Sequence, residues 1–388
     1  MKIAVPCETN PHERRVALIP ETVARLTKLG HQVIVEENAG QESGFSNRQY
    51  ENAGAQVVPG DLGWMKEADI AVSVQSIDPS ADGSDFRYLR PGTIVIGMLG
   101  PLSTPARAFA ALADSQLTAF SMDSIPRISR AQSMDVLSSM STVAGYRAAL
   151  IAAERLPRFF PLLMTAAGTI IPARVLILGA GVAGLQAIAT THRLGAVVQA
   201  FDTRPVVREQ VESLGASFLT FEIHSQQTQD GYAQALAADI HQQEVDLLSK
   251  PVADADVVIT TALIPGRSAP VLVTREMVLS MRPGAVIVDL AAEAGGNCEL
   301  SLPGASIVTP NGVTIEAPLN IASQLAPHAS QLYSRNVYNF LTYLFSLGLG
   351  GPTGPLDMDD EIVARTLIVE NGKIRHDALQ KRMPLVGS

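Results

Sequence analysis

Residues Val175-Leu176-Ile177-Leu178 form an apolar run that opens directly into Gly179-Ala180-Gly181-Val182-Ala183-Gly184, a Gly-x-Gly-x-x-Gly spacing. A second apolar run, Val197-Val198-Gln199-Ala200-Phe201, follows one helix length later and ends at Asp202. Strand, glycine turn, helix, strand and terminal acid together define a βαβ unit of the dinucleotide-binding kind. Gly179 permits the turn, Gly181 lets the backbone approach a pyrophosphate, and Gly184 lets the helix pack closely on the sheet. The helix start, from Val182 and Ala183, points unpaired N–H groups and the positive end of its dipole at phosphate. Asp202 lies 18 residues after Gly184, where a carboxylate can accept hydrogen bonds from both ribose hydroxyls and repels a 2′-phosphate. NAD(H) is therefore favoured over NADP(H). Arg204, just beyond Thr203, tempers that choice, because an arginine here can serve a 2′-phosphate.

The chain around this unit is long enough for two to three domains. With 47% hydrophobic and 17% charged residues it is globular rather than disordered. A formal net charge of −9, with no Lys/Arg cluster against it, argues against a nucleic-acid or anionic-membrane surface. Cys7 and Cys298 are too few for a disulfide framework or a zinc site, and the seven histidines show no metal-ligand spacing, so no metal is expected. The N-terminus turns acidic at Glu8 without a long apolar segment, so no signal peptide is expected. Phe159 to Ala173 is nearly uncharged but stops at Arg174, short of the ~20 residues of a span. Val337 to Leu356 carries Asn339 and breaks at Gly348-Leu349-Gly350-Gly351-Pro352. Both are expected to be buried structure.

An internal repeat fixes the architecture. Leu29-Gly30-His31 and Leu194-Gly195-Ala196 each end a helix-like run and open a strand-like one. Ala68-Asp69-Ile70-Ala71-Val72 followed by Arg90-Pro91-Gly92-Thr93-Ile94-Val95-Ile96 parallels Ala255-Asp256-Val257-Val258-Ile259 followed by Arg282-Pro283-Gly284-Ala285-Val286-Ile287-Val288. The fold class is α/β: two Rossmann-like lobes with parallel sheets separated by a cleft, only the second lobe carrying Gly-x-Gly-x-x-Gly. The first lobe is expected to take residues 1–137 and 330–388, the second 138–329. A connecting helix is expected over Thr142 to Arg158, and a second long helix from Ser330 to about Phe345 with Leu332, Tyr333, Val337, Phe340, Leu341 and Leu344 on one face. Glu222 to Asp246 is polar, glutamine-rich and broken at Asp230-Gly231, which suits a lid or, in its second half, a solvated surface helix.

Polar groups that could meet a nicotinamide cluster between the first lobe's last apolar run and the connecting helix. Arg127, Gln132 and Asp135 offer a cation, an amide and a carboxylate within nine residues, enough to orient a carboxamide and its ribose. Helix capping by Ser129 or Asp135 explains part of the same pattern equally well.

The run Pro126-Arg127-Ile128-Ser129-Arg130-Ala131-Gln132-Ser133-Met134-Asp135, with Ala144-Gly145-Tyr146-Arg147, resembles the signature of the NAD(H)-binding component, domain I, of proton-translocating nicotinamide nucleotide transhydrogenases. Met164-Thr165-Ala166-Ala167-Gly168-Thr169, Thr261-Ala262-Leu263-Ile264-Pro265-Gly266 and Glu293-Ala294-Gly295-Gly296-Asn297-Cys298 resemble that family too, and the likeness runs from Ile3 to about Val363. It implies direct hydride transfer between NAD(H) on this chain and NADP(H) on a partner subunit. Arg127, Gln132 and Asp135 would act at the nicotinamide end, with Ile128, Ser129 and Ser138 beside them. Asp202, Thr203 and Arg204 would meet the adenosine ribose, Leu263 would line the pocket, and Gly231-Tyr232 would lie on a mobile lid. It also implies a homodimer bound peripherally at the cytoplasmic face of the inner membrane, soluble when isolated, with a separate membrane proton-channel subunit.

That family is similar throughout to alanine dehydrogenase, which needs acid/base groups because it oxidises a carbon bearing an amine. Its catalytic lysine corresponds to Gln75 here and its catalytic histidine to Gly100, while the aspartate of its late acidic motif matches Glu293. Hydride transfer between two nicotinamide rings needs no proton donor, so the loss suits a transhydrogenase. Arg14 and Arg15 match a substrate-carboxylate position of the dehydrogenases; without the lysine and histidine a structural ion pair is expected. An amino-acid dehydrogenase and a non-catalytic NADH-responsive binding module are the alternatives.

Overall fold

The computed structural model describes residues 1–75, 88–219, 233–264, 266–349 and 357–382. They divide into two compact units, Met1–Met140 with Ala322–Ser388, and Ser141–Ile321. The sequence-drawn limits at 137 and 330 fall inside elements that begin earlier or end later. These are the long helices Val136–Arg155, which contains residue 137, and Ala326–Ser346, which contains residue 330.

The first unit opens with strands β1 (Lys2–Val5), β2 (Gln32–Glu36), β3 (Gln56–Val58), β4 (Ile70–Val72), β5 (Ile94–Gly97) and β6 (Thr118–Ser121), and with helices α1 (Pro20–Lys28), α2 (Asn47–Asn52) and α3 (Ala106–Asp114). Helix α4 (Val136–Arg155) leads out of it. The second unit holds the hairpin β7 (Leu163–Thr165) and β8 (Gly168–Ile170), then β9 (Arg174–Leu178), α5 (Val182–Arg193), β10 (Val197–Phe201), α6 (Arg208–Ser213) and β11 (Ser217–Leu219). It continues through α7 (Ala233–Asp254), β12 (Val257–Thr260), α8 (Arg275–Ser280), β13 (Val286–Asp289), β14 (Ser306–Val308) and β15 (Thr314–Glu316). Helices α9 (Ala326–Ser346) and α10 (Glu361–Thr366) and strands β16 (Leu367–Glu370) and β17 (Lys373–Ile374) return to the first unit.

The first sheet runs β17-β16-β6-β5-β4-β1-β2-β3, parallel from β1 to β6 with β16 and β17 antiparallel at one edge. The second runs β11-β10-β9-β12-β13-β15-β14, parallel except for β14. Central strands β5, β12 and β13 are buried along their whole length, as continuous β-branched runs covered on both faces must be. In the second unit Val175, Ile177, Val257 and Ile259 face one apolar cluster and Leu176, Leu178, Val258 and Ile287 the other.

The repeat read from sequence is present in the backbone. Gly30 and Gly195 close α1 and α5 with φ of 86° and 92°, and Gly92 and Gly284 turn the two Arg-Pro-Gly corners with φ of 84° and 83°. The strands flanking those corners, β4 with β5 and β12 with β13, pair in parallel in both units.

The expectation that Phe159 to Ala173 is buried is corrected. Pro161 to Pro172 carries the β7–β8 hairpin, with Leu162, Met164, Ile170 and Ile171 exposed. A two-stranded ribbon presents both faces outward, and among the described residues no further strand pairs with its edges. Val337 to Leu349, by contrast, belongs mostly to α9, whose Val337, Phe340, Leu341 and Leu344 are buried. Among the described residues one helix, α4, is long and apolar enough to cross a membrane, by length and composition alone.

The polar segment Glu222 to Tyr232 lies outside the described residues, and with it Gly231 and Tyr232. The chain beyond Tyr232 is helical, as the surface-helix alternative expects: α7 leaves Gln242, Gln243 and Asp246 exposed on one side and buries Glu244, Val245, Leu248 and Val252 on the other.

Candidate functional site

In the second unit β9 lies between β10 and β12, so the direction of strand order reverses at its C-terminal end, where α/β sheets bind ligands. Gly179 turns the chain there with φ of 98°, and a Cβ on it would meet Thr261 Oγ1 at 2.6 Å. A Cβ on Gly184 would lie 1.8 Å from Gly179 O, so no larger residue fits between helix and turn. Gly145 of α4 is as tightly set: its Cβ would stand 2.0 Å from Ala183 O. Gly181 differs, because a Cβ on it would meet nothing within 4 Å. The glycine that the motif reserves for a phosphate faces open space, and α5 begins there without a side-chain cap, its first N–H groups left for an anion. These residues fit the pyrophosphate of a dinucleotide.

Asp202 follows β10 and closes the turn from beyond. Its Oδ2 accepts from Ala180 N at 2.8 Å, and its Oδ1 accepts from Arg204 N at 2.9 Å. The Arg204 guanidinium adds Nε to Oδ1 and Nη2 to Oδ2, each at 2.9 Å. Burial works to raise the Asp202 pKa, but the hydrogen bonds from the Arg204 side chain and the two backbone N–H groups outweigh it and hold the carboxyl below its usual value. Thr203, between the two, is exposed.

The opposite wall is the loop after β12. Thr261 Oγ1 donates to Gly179 O at 3.0 Å, tying this loop to the glycine turn. Asn297, fully buried, accepts from Ala262 N at 3.0 Å and donates to Ala262 O at 2.9 Å and Pro270 O at 2.8 Å. Asp289, also fully buried, accepts from Thr260 Oγ1, Ala291 N, Asn297 N, Cys298 N and Ser301 Oγ at 2.6 to 3.0 Å. Next to this network Leu263 and Ile264 are exposed. Sequence reasoning singled out Leu263 but missed Asp289 and Asn297. The signal available was a polar residue ending an apolar strand, one position after Val288, and an asparagine following a double glycine.

In the first unit, Arg127 and Gln132 are exposed and make no side-chain hydrogen bond among the described residues. The backbone between them forms a 3-10 turn, Ser129–Met134, seated by buried Ala131 and Met134, with Ile128 as its extended first residue. Asp135 Oδ1 accepts from Ser138 N at 2.9 Å and Oδ2 from Ser138 Oγ at 2.6 Å. The capping alternative thus describes Asp135 here, whereas Ser129 caps nothing. Capping also fixes the carboxylate at the start of α4, so the two readings of Asp135 are compatible.

The remaining dehydrogenase positions are occupied otherwise. Gln75 Oε1 accepts from Asn10 Nδ2 at 3.2 Å. Gly100 has φ of 61°, and a Cβ there would meet Ser103 Oγ at 2.8 Å, so a histidine would be strained and crowded. Arg15 is an internal ion pair, its Nε and Nη2 donating to Glu13 Oε1 and Oε2 at 2.7 and 2.5 Å with both side chains buried. Glu293 Oε1 accepts from Asn320 N in a short contact. One group the sequence did not flag is Glu8, whose Oε1 and Oε2 accept from Val74 N and Gln75 N. The residue keeps some solvent exposure, but burial of its carboxyl group, reinforced by Glu13, pushes its pKa up to about 7 against the pull of those two N–H donors. Among the described residues no group of His, Cys, Asp and Glu is placed to hold a metal.

Known proteins share both units. Residues 4–144 match the alanine dehydrogenase/PNT N-terminal domain and residues 148–377 the alanine dehydrogenase/PNT C-terminal domain. An NAD(P) transhydrogenase alpha-subunit chain of Rhodospirillum rubrum, the first of the parts into which that subunit is divided, is 45% identical over 98% of this chain and 99% of its own length. A crystal structure of transhydrogenase from Sinorhizobium meliloti superposes with a TM-score of 0.84 at 40% identity, covering 97% of this chain and 100% of that one. Alanine dehydrogenase of Mycobacterium tuberculosis is more distant, 34% identical over 78% of this chain and 76% of its own.

Proposed function

The chain belongs to the alanine dehydrogenase/PNT family, and from that premise we propose that it is the NAD(H)-binding subunit of a proton-translocating NAD(P) transhydrogenase. It would exchange hydride directly with NADP(H) held by a partner subunit. The observation that carries this reading is an intact Gly-x-Gly-x-x-Gly turn combined with Gln75 and Gly100 at the two positions where alanine dehydrogenase handles protons. The positive φ of Gly100 and the nearby Ser103 and Thr104 hydroxyls support it further, since an imidazole there would be strained.

In this reading the α5 N-terminus and Gly181 take the pyrophosphate, Asp202 the adenosine ribose, and Arg127, Gln132 and Asp135 the nicotinamide end, with Leu263 against the ring. The nucleotide itself supplies the hydride at its nicotinamide carbon. The chain's role is to hold that ring in one orientation and to keep water away, which is where a positioned reaction gains its rate. Gln132 would fix the carboxamide, and Asp135, held by Ser138, the ribose next to it. The partner carrying NADP(H), a membrane proton-channel subunit and a peripheral site at the cytoplasmic membrane face belong to the same proposal, as does a homodimer.

The test is reduction of an NAD analogue by NADPH with the purified chain alone and then mixed with a recombinant transhydrogenase NADP(H)-binding domain. Turnover in the mixture only is expected. Absence of turnover with NADH binding intact would replace this reading with a binding module, and alanine oxidation with NAD would replace it with a dehydrogenase.

A further inference from the structure

Arg127 and Gln132 have no side-chain partner among the described residues, so whatever orients them acts through the backbone of the 129–134 turn. That backbone is held from one face of α9. Asn336 Nδ2 and Asn339 Nδ2 both donate to Ser133 O, at 2.9 and 3.0 Å, satisfying both lone pairs of the carbonyl next to Gln132. On the other side of Gln132, Arg130 Nη1 donates to Tyr343 Oη and to Asp360 Oδ2, each at 2.8 Å. Tyr343 Oη donates in turn to Asp360 Oδ2 at 2.5 Å, and Asp360 Oδ1 caps α10 by accepting from Ile362 N and Val363 N. Residues 336, 339 and 343 are spaced three and four apart, which places them along one stripe of the helix.

The chemistry of this stripe goes beyond packing. The Asn336 Oδ1 atom is buried with no hydrogen-bond partner among the described residues, a cost that an apolar residue of the same shape would avoid. Asn336 bears that cost while its Nδ2 donates to Ser133 O. Arg130 is half exposed, yet its partner Asp360 is nearly buried and held by its capping bonds to Ile362 N and Val363 N. Gln132 is therefore bracketed, two residues upstream and one downstream, by four hydrogen bonds to groups that are not part of its own loop, and the Tyr343–Asp360 bond links two of those groups to each other.

We infer that Asn336, Asn339 and the Arg130–Tyr343–Asp360 network are positioning residues that act through Gln132 to orient the nicotinamide for hydride transfer. This rests on the transhydrogenase reading above. None of these side chains needs to touch the nucleotide; each fixes the backbone from which Gln132 projects. A displacement of well under 1 Å is enough to matter for a reaction that depends on near-attack geometry.

The experiment compares wild type with Tyr343→Phe and with Tyr343→Phe/Asn339→Ala, each also in a Gln132→Asn background. Three quantities are read: the single-turnover hydride-transfer rate with the NADP(H)-binding domain, the NADH dissociation constant, and amide hydrogen exchange of residues 129–135 without nucleotide. The double variant should transfer hydride on the order of tenfold more slowly, with less than a twofold change in NADH binding and faster exchange confined to the turn. In the Gln132→Asn background the same substitutions should cost nothing more, because the shortened amide no longer reaches the position they hold it in. An unchanged rate, an equal loss of NADH binding, or a full additive loss in that background would overturn the inference. Tyr343→Phe removes one oxygen and keeps the ring, so it supplies the answer alone if the double variant does not fold. A wild-type mixture without turnover would instead overturn the transhydrogenase reading, so the two failures are distinguishable.

Discussion

The carboxylate of Asp202 has four donors on its two oxygens, two of them from the Arg204 guanidinium. A ribose diol can reach those oxygens only by displacing that guanidinium, and while paired it is unavailable to a 2′-phosphate. A pair whose arginine is exposed is worth about 0.2–1 kcal/mol, so Arg204→Ala should tighten NADH binding by roughly 1.5- to 5-fold and leave NADPH binding unchanged. Calorimetric titration of both nucleotides checks this, and weaker NADPH binding in the variant would show Arg204 serving a phosphate instead. Asp202 was legible from its place after a strand, but its pairing was not, because Thr203-Arg204 reads equally well with the side chain pointing either way. Glu8 was not legible at all: its donors lie 66 and 67 residues away, and its burial comes from β4 folding against β1. With a pKa moved from 4.5 to about 7, the folded protein binds this proton more tightly than the unfolded chain. Its stabilising contribution is then complete below pH 4.5 and is lost as pH rises through 7, by at most about 3 kcal/mol. Glu8→Gln gives up one of the two backbone hydrogen bonds at every pH but does not titrate. The Tm difference between variant and wild type should therefore shift in the variant's favour from pH 5 to pH 8; parallel curves would mean that Glu8 does not titrate in this range.

Periodicity read the elements with regular surroundings well and the others poorly. The parallel strands are buried on both faces, so an unbroken apolar run was a sufficient signal for β5, β12 and β13. Helix α9 was found by its apolar stripe, yet its buried face also takes in Ser330, Ser334 and Asn336, which hydropathy assigns to solvent. Ser330 and Ser334 are inside because their hydroxyls accept from Val16 N and Ile19 N at 3.0 Å, capturing a segment that makes no sheet of its own. The β7–β8 hairpin failed in the opposite sense: an apolar run is equally compatible with a core and with a surface that another chain covers. Exposed Leu162, Met164, Ile170 and Ile171 gather in ten residues, the kind of apolar patch that marks an association surface. If the proposed homodimer uses it, Met164→Asp/Ile171→Asp should move the light-scattering mass in solution toward the monomer without lowering the Tm of the separated chain. A persistent dimer would place the interface elsewhere.

The two units differ in how the chain builds them. Ser141–Ile321 is continuous, and its glycine turn, acid and supporting loop all come from one stretch of sequence. The first unit is closed by residues that arrive last: β16 extends its sheet beside β6, and α9 enters its core, where Phe340 meets Phe120 edge to face at 5.7 Å and Tyr333 Oη donates to Ser73 O at 2.7 Å. The repeat between the units made the shared strand order legible, since equal Arg-Pro-Gly corners imply equal strand neighbours. It said nothing about this return, which has no counterpart in the second unit. Tyr333, Phe340, Leu344, Leu367, Ile368 and Val369 are all fully buried, so omitting them forfeits on the order of 10 kcal/mol of apolar burial. That is comparable to the whole stability of a domain of this size. A fragment of residues 1–140 should accordingly show no cooperative thermal transition, while residues 136–321 should melt cooperatively by near-UV circular dichroism. Adding residues 322–388 to the first fragment should restore its transition in a concentration-dependent way. A cooperative melt from residues 1–140 alone would mean that β1 to β6 already form a sufficient core, and that the C-terminal return serves to hold the 129–134 turn rather than to complete the fold.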